Sequence, residues 1–252
     1  MRGLDGKSGI VAGGARGIGA ATVRRLVSEG ARVVVGDLLV EAAEELAHEI
    51  AKAGGAVIAM RLDATDPASQ EAIVKRAHDE HGGLDFYHSN LAGGTEGDVD
   101  ALNCSLDVFD KSVALNAKSH LIATQAALPG MLEAGAGAMI YTGSGAATAG
   151  AARQVAYPMT KNAIHALARH VAAKWGRKGI RANVVSPGIV MTEAVAEHLT
   201  DEQVAGLRSV TPSMRLGQPD DIAAMVAFLA SDDGEWINGQ VIHVNGGSQM
   251  RD

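Results

Sequence analysis

Seven short apolar runs alternate with stretches of helical length along the chain. The apolar runs cover residues 9–13, 32–37, 56–63, 84–89, 138–142, 181–186 and 240–244. Most show no polar alternation, as in Val33-Val34-Val35, and such runs suit strands of a parallel sheet covered on both faces. Between them, helical periodicity covers 17–29, 40–52, 67–81, 106–132, 154–178 and 219–230. Strand–helix alternation of this length predicts an α/β fold, a doubly wound parallel sheet of about seven strands with helices on both faces. Local signals agree with it. Asp66-Pro67 supplies a cap followed by a proline at the first helical position, and Gly54-Gly55 ends the second helix. Residues 191–215 break the rhythm just after a strand end, where open α/β sheets bind ligands, and are read as a lid over a substrate.

Composition narrows the classes. The chain has 252 residues, 47% of them hydrophobic, which suffices for a buried core and excludes a disordered chain. No linker or internal repeat divides it, so residues 1–252 are expected to form a single domain. A single cysteine, Cys104, excludes a disulfide scaffold and fits a reducing compartment. The net charge of -7 carries no basic stripe, so no nucleic-acid partner is expected. No apolar run approaches the roughly 18 residues of a membrane span, and the N-terminus lacks a signal-peptide core. A cytoplasmic protein is therefore expected, with no membrane partner. The cluster His78-Asp79-Glu80-His81 lacks metal-ligand spacing, and no metal is expected.

Glycine is the outlier, at 31 residues, and it concentrates where the chemistry starts. The first strand runs into Gly13-Gly14-Ala15-Arg16-Gly17-Ile18-Gly19 and then a helix. The pattern is G-x-x-x-G-x-G and not G-x-G-x-x-G, but the physics is shared. The backbone turns sharply, no side chain holds a pyrophosphate away, and a helix N-terminus offers free N–H groups to it. Asp37 ends the second strand 18 residues after Gly19, near the spacing of about 20 at which an acid binds the adenosine ribose. A carboxylate there repels a 2′-phosphate and favours NAD over NADP, although Arg16 offers a charge to that phosphate.

Ser144 follows a strand, and Tyr157 and Lys161 stand four apart on one helical face. The ordered set Gly13-x-x-x-Gly17-x-Gly19, Asp37, Asn90, Asn116, Ser144, Tyr157-x-x-x-Lys161 and Pro187-Gly188 resembles the short-chain dehydrogenase/reductase family, from about Lys7 to Gly247. The resemblance implies a Rossmann-like domain and hydride transfer between a nicotinamide cofactor and a secondary alcohol or ketone. It implies that Tyr157 is the acid/base, that Lys161 lowers its pKa and binds the nicotinamide ribose, that Ser144 holds the substrate oxygen, and that Asn116 anchors a water relay.

By the same resemblance Gly13, Arg16, Gly17, Ile18 and Gly19 cradle the cofactor. Asp37 takes the ribose, Asp63 and Ala64 the adenine, Asn90 and Ala92 flank the adenosine, and Pro187, Gly188, Val190 and Thr192 meet the nicotinamide end. The last strand implies a homo-oligomer, a tetramer or dimer. Ala12 departs from the family's threonine, which removes one hydrogen bond to the loop after the fourth strand. A tyrosine acting as a base at neutral pH needs a shift of about three units, roughly 4 kcal/mol. One ammonium near 4 Å supplies about that at an effective dielectric of about 20, so Lys161 is expected to suffice. The substrate is expected against Ser144 and Tyr157, walled by the loop 93–106, by Gln154 and by the lid. One wall is expected to be acidic (Glu96, Asp98, Asp100) and the other apolar (Val195, Leu199). Two other readings stand beside this one: an NADP-dependent ketoreductase of the 3-oxoacyl-acyl-carrier type, and a dinucleotide-binding sensor or scaffold without turnover.

Overall fold

The β-branched run Val33-Val34-Val35 is wholly buried, as a strand flanked by helices on both faces requires. It belongs to β2 (Arg32–Asp37), one of seven strands in the computed structural model, which describes residues 1–250 apart from the side chain of His198. The others are β1 (Ser8–Ala12), β3 (Val57–Arg61), β4 (Phe86–Ser89), β5 (Gly137–Thr142), β6 (Ile180–Pro187) and β7 (Val241–Val244). All pair in parallel in the order β3-β2-β1-β4-β5-β6-β7. The chain winds outward from β1 to β3, then returns to lay β4 beside β1. That reversal is the topological switch point, where such sheets open a crevice beyond the strand C-termini.

Alternate strand residues face opposite layers. One core packs α3 (Pro67–His81), α5 (Ser119–Ala134) and α7 (Ala156–Trp175) on the sheet through Ile73, Ala127, Met131, Ile164, Ala168 and Val171. The other packs α1 (Gly17–Ser28), α2 (Val40–Lys52) and α10 (Pro219–Ala230) through Val23, Leu26, Leu46, Ile50, Ile222 and Val226. Asp66 caps α3 as expected, accepting from the N–H groups of Ala68 and Ser69, with Pro67 behind it.

Three elements differ from the sequence expectation. The single helix expected over 106–132 is α4 (Leu106–Val113), a π-helical turn at Ala114–Lys118, and α5. Hydrophobic period alone does not reveal an inserted residue, and π-turns recur at functional sites. A short α6 (Ala146–Ala149) follows Ser144 where no element was expected. Residues 191–215 are not irregular throughout, since they hold α8 (Glu193–His198) and α9 (Asp201–Ser209), the latter with a Thr200–Gln203 capping box.

Candidate active site

A cleft of about 1000 Å³ opens at the switch point. Gly13, Arg16, Gly17 and Ile18 form its floor, at the junction of β1 and α1. Gly13 has φ +74°, and a Cβ there would lie 2.4 Å from the Asn90 carbonyl oxygen. Asn90 fastens this junction, its side-chain amide donating to Gly13 O at 3.0 Å and its N–H to Ala12 O at 2.9 Å. The hydrogen bond lost at Ala12 is thus accompanied by two that remain. Gly19 does not line the cleft. Its Cβ would lie 2.0 Å from Gly13 O, so it lets the helix close on the turn.

Asp37 reaches the same floor. Its Oδ2 accepts from the Ala15 N–H at 3.0 Å and its Oδ1 from the Leu39 N–H at 3.0 Å, which fixes the carboxylate at the mouth of the turn. Arg16 is exposed beside it. Asp63 and Ala64 form the next stretch of wall with Leu38 and Leu62. The Thr65 hydroxyl and N–H both donate to Asp63 Oδ1, at 2.7 and 3.0 Å, and hold its carboxyl below the ordinary range. Leu38, 53% exposed, was not singled out from sequence. Its place directly after Asp37, at the end of β2, is the signal that was available.

At the other end of the cleft stand Ser144, Tyr157 and Lys161, with Pro187, Gly188, Val190 and Thr192 opposite. The Ser144 side chain stands near enough to the Tyr157 phenol to draw its pKa down. Lys161 is wholly buried, and its Nζ donates to the carbonyls of Leu91 at 2.8 Å and Thr142 at 2.9 Å. It lies 5.9 Å from the centroid of the Tyr157 ring. Burial draws its ammonium down to about 7. Burial also pushes the Tyr157 phenol above the usual tyrosine value, against the pull of Ser144. The expectation is that Lys161 about suffices to make Tyr157 a base, with an oxidised nicotinamide adding its charge; among the chain's own groups burial outweighs any lowering of the phenol. The ammonium is held under the ring by carbonyls, and desolvation taxes both charged forms. In this cleft Tyr157 starts as a protonated phenol.

Asn116 is buried outside the cleft, on the π-turn. Its carboxamide accepts from Gly93 N at 3.1 Å and donates to Gly93 O at 2.7 Å and to the Ser112 carbonyl at 3.2 Å. The expected acidic wall is also corrected. Glu96 and Asp100 are exposed away from the cleft, and Asp98 is buried against α7. Of the apolar pair, Val195 lines the cleft and Leu199 does not. Gln154 lines it as expected, and Glu193 and Glu197 add the acidic groups, from α8.

Gly17 offers a surface without a side chain at the N-terminus of α1, and an acid stands at the ribose distance in sequence. These residues fit a dinucleotide. Comparison with known proteins agrees. The family model described as enoyl-(acyl carrier protein) reductase matches residues 12–249. A 7alpha-hydroxysteroid dehydrogenase of Bacteroides fragilis is 32% identical over 98% of this chain and 96% of its own. A D-threitol dehydrogenase of Mycolicibacterium smegmatis is 35% identical over 98% and 95%. The solved structure of a 7alpha-hydroxysteroid dehydrogenase complexed with NADH and 7-oxo glycochenodeoxycholic acid superposes with a TM-score of 0.92, at 33% identity over 97% of this chain and 94% of that one. With a matching family model, full-length relatives above 30% identity and the same fold, this chain belongs to the short-chain dehydrogenase/reductase family.

Proposed function

We propose that the cleft binds NAD and that the protein passes hydride between it and a secondary alcohol or the corresponding ketone, with Tyr157 as acid/base. The observation that carries this reading is the convergence of Ser144, Tyr157 and Lys161 at one end of a cleft whose other end is the glycine turn. A bound nicotinamide supplies the hydride acceptor or donor and, when oxidised, a positive charge. The chain's own residues do the rest. Ser144 holds the substrate oxygen beside the phenol, so charge developing on that oxygen meets a fixed donor. In reduction the Tyr157 phenol, protonated by its surroundings, gives its proton to the nascent alkoxide. In oxidation it takes the alcohol's proton, which requires Lys161 in its ammonium form and the added charge of the oxidised cofactor. Asn90 keeps the turn closed, and Asn116 holds Gly93 while the neighbouring Leu91 carbonyl holds Lys161.

The position of Asp37, anchored by Ala15 at the turn, favours NAD, because a 2′-phosphate there meets a carboxylate. The second reading, an NADPH-dependent ketoreductase, is favoured by Arg16, exposed at the same floor. The sensor reading leaves Tyr157 and Lys161 without a task. We further propose a cytoplasmic homo-oligomer, a tetramer or dimer. Supporting it are the half-exposed edge strand β7 and Trp236, 99% exposed just before it. Sedimentation of the purified chain tests this, and a monomer at all concentrations refutes it. Residues 191–215 act as the lid.

The decisive experiment follows nicotinamide absorbance across a panel of secondary alcohols and ketones that includes a 7α-hydroxysteroid and D-threitol. NAD and NADP are run in parallel. Turnover with NAD is expected, and Tyr157→Phe should lose about a thousandfold or more of kcat while still binding cofactor. A strong NADPH preference overturns the cofactor assignment, and an active Tyr157→Phe overturns the role of Tyr157.

A further inference from the structure

The helix that carries Tyr157 starts without a cap of its own. Val155 occupies the cap position of α7 and makes no side-chain hydrogen bond. A helix start leaves its first backbone N–H groups without partners inside the helix. Here a remote carboxylate takes them. Asp98 Oδ1 accepts from Val155 at 3.1 Å and Ala156 at 3.0 Å, and Oδ2 accepts from Tyr157 itself at 2.8 Å. Asp98 is 7% exposed, and the Cys104 thiol donates to its Oδ1 at 3.8 Å. Burial pushes this carboxyl up, but the three N–H groups and the thiol outweigh burial and hold it below the usual carboxylate range. An anion therefore faces the positive end of α7 at neutral pH.

The loop between β4 and α4 is shaped to deliver it. Gly94 and Gly97 take positive φ, +64° and +77°, and the Asp98 N–H closes a turn on Thr95 O at 3.1 Å. Earlier in the same loop the Leu91 carbonyl holds Lys161 Nζ, and Asn116 clamps Gly93 from both sides. One loop thus grips both members of the Tyr157–Lys161 pair, the lysine by its ammonium and the tyrosine by its backbone.

From this geometry we infer that Asp98 is a positioning residue for Tyr157: its carboxylate fixes the first turn of α7 and thereby the place of the phenol in the cleft. The inference rests on Tyr157 being the acid/base. Phenol displacement of about 1 Å costs up to about a hundredfold in rate. Asparagine keeps the size of Asp98 but only one acceptor oxygen, so one side of the N–H set loses its partner, whereas alanine frees all three.

The test compares Asp98→Asn and Asp98→Ala with the unaltered protein on the best alcohol of the panel. Expected is a stepwise fall in kcat, about tenfold and then about a hundredfold, with NAD affinity within about twofold of the original. A second readout needs no substrate. Spectrophotometric titration, with Tyr157→Phe as blank, should show the Tyr157 midpoint falling toward the ordinary value of about 10 as the freed turn admits solvent. If Asp98→Ala does not fold, Asp98→Asn carries both measurements. A folded Asp98→Asn with unchanged kcat and unchanged phenol midpoint overturns the inference, as does a loss of kcat matched by an equal loss of NAD affinity. Full activity in Tyr157→Phe is a separate result that removes the acid/base reading beneath it.

Discussion

At the scale of single residues, the floor of the cleft is made by side chains that are missing. Gly13 and Gly6 share φ +74°, but only at Gly13 would a Cβ meet backbone, 2.4 Å away, while nothing lies within 4 Å at Gly6. Gly6→Ala should therefore cost only backbone strain, about 1 kcal/mol. Gly13→Ala adds a clash that moves Asn90 and should cost about 3 kcal/mol or more, with weaker NAD binding. Paired urea melts measure the difference, and equal losses would show that the close approach to Asn90 does not matter. On the proposed reading Asp37 selects the cofactor by charge. Asp37→Ser keeps a small acceptor and removes the repulsion, so NADPH turnover should rise about tenfold relative to NADH. An unchanged ratio assigns cofactor choice elsewhere. These residues were legible in the sequence because their geometry is local: turn, strand end, and i,i+4 on one helix. Asp98 was not. It acts on N–H groups 57 to 59 residues away, and in sequence it looks like its exposed neighbours Glu96 and Asp100.

At the scale of elements, α7 and the segment 191–215, proposed as a lid, are opposites. α7 sets seven buried residues, Lys161 among them, against the sheet and its neighbours. α9 has no buried residue. The segment carrying α8 and α9 is clipped at its base, where Val190 bridges Gly217 and Met191 N–H donates to Gly217 O at 2.8 Å. Thr192, which caps α8, stands over Gly17, 3.1 Å from where a Cβ would be. A tied base, an unpacked arm and contact with the floor of the cleft describe a flap that a ligand can order. Amide exchange over 193–209 should be fast in the free protein and slow about tenfold or more with NAD, while exchange at 189–190 changes little. Equal protection with and without cofactor would mean that this arm is no lid. Hydrophobic period located every strand, and the break in that period marked residues 191–215. It could not see the π-turn inside 106–132, because one inserted residue shifts the phase without removing the apolar stripe, and that turn is what brings Asn116 to Gly93.

At the scale of the molecule, burial of titratable groups ties stability to pH. His88 and His120 are wholly buried and His165 is 3% exposed. Burial holds His88 at about 3, His165 at about 4 and His120 well below its ordinary value. All three are neutral in the folded protein at pH 6, whereas in the unfolded chain they protonate near 6.5. The unfolded state then binds more protons below that pH, so stability falls as acid is added, by about 1.4 kcal/mol per pH unit for each histidine. This window opens above the one set by Asp63 and Asp98, whose lowered carboxyls give up their contribution only below about pH 4. Lys161 acts on the alkaline side. With its ammonium at about 7 in the fold and near 10.4 unfolded, it makes stability rise with pH between those values. The urea midpoint should therefore climb from pH 5 through pH 9 and not peak near neutrality. Lys161→Met should lower the midpoint throughout, because the Leu91 and Thr142 carbonyls lose their donor, but it should flatten the limb from pH 7 to 9. His88→Asn should flatten the acid limb in part, since the other histidines with lowered pKa, His81 among them, remain, and should leave the alkaline limb alone. A midpoint equal at pH 5 and pH 7 in the unaltered protein would mean that the imidazoles are solvated or charged in the fold.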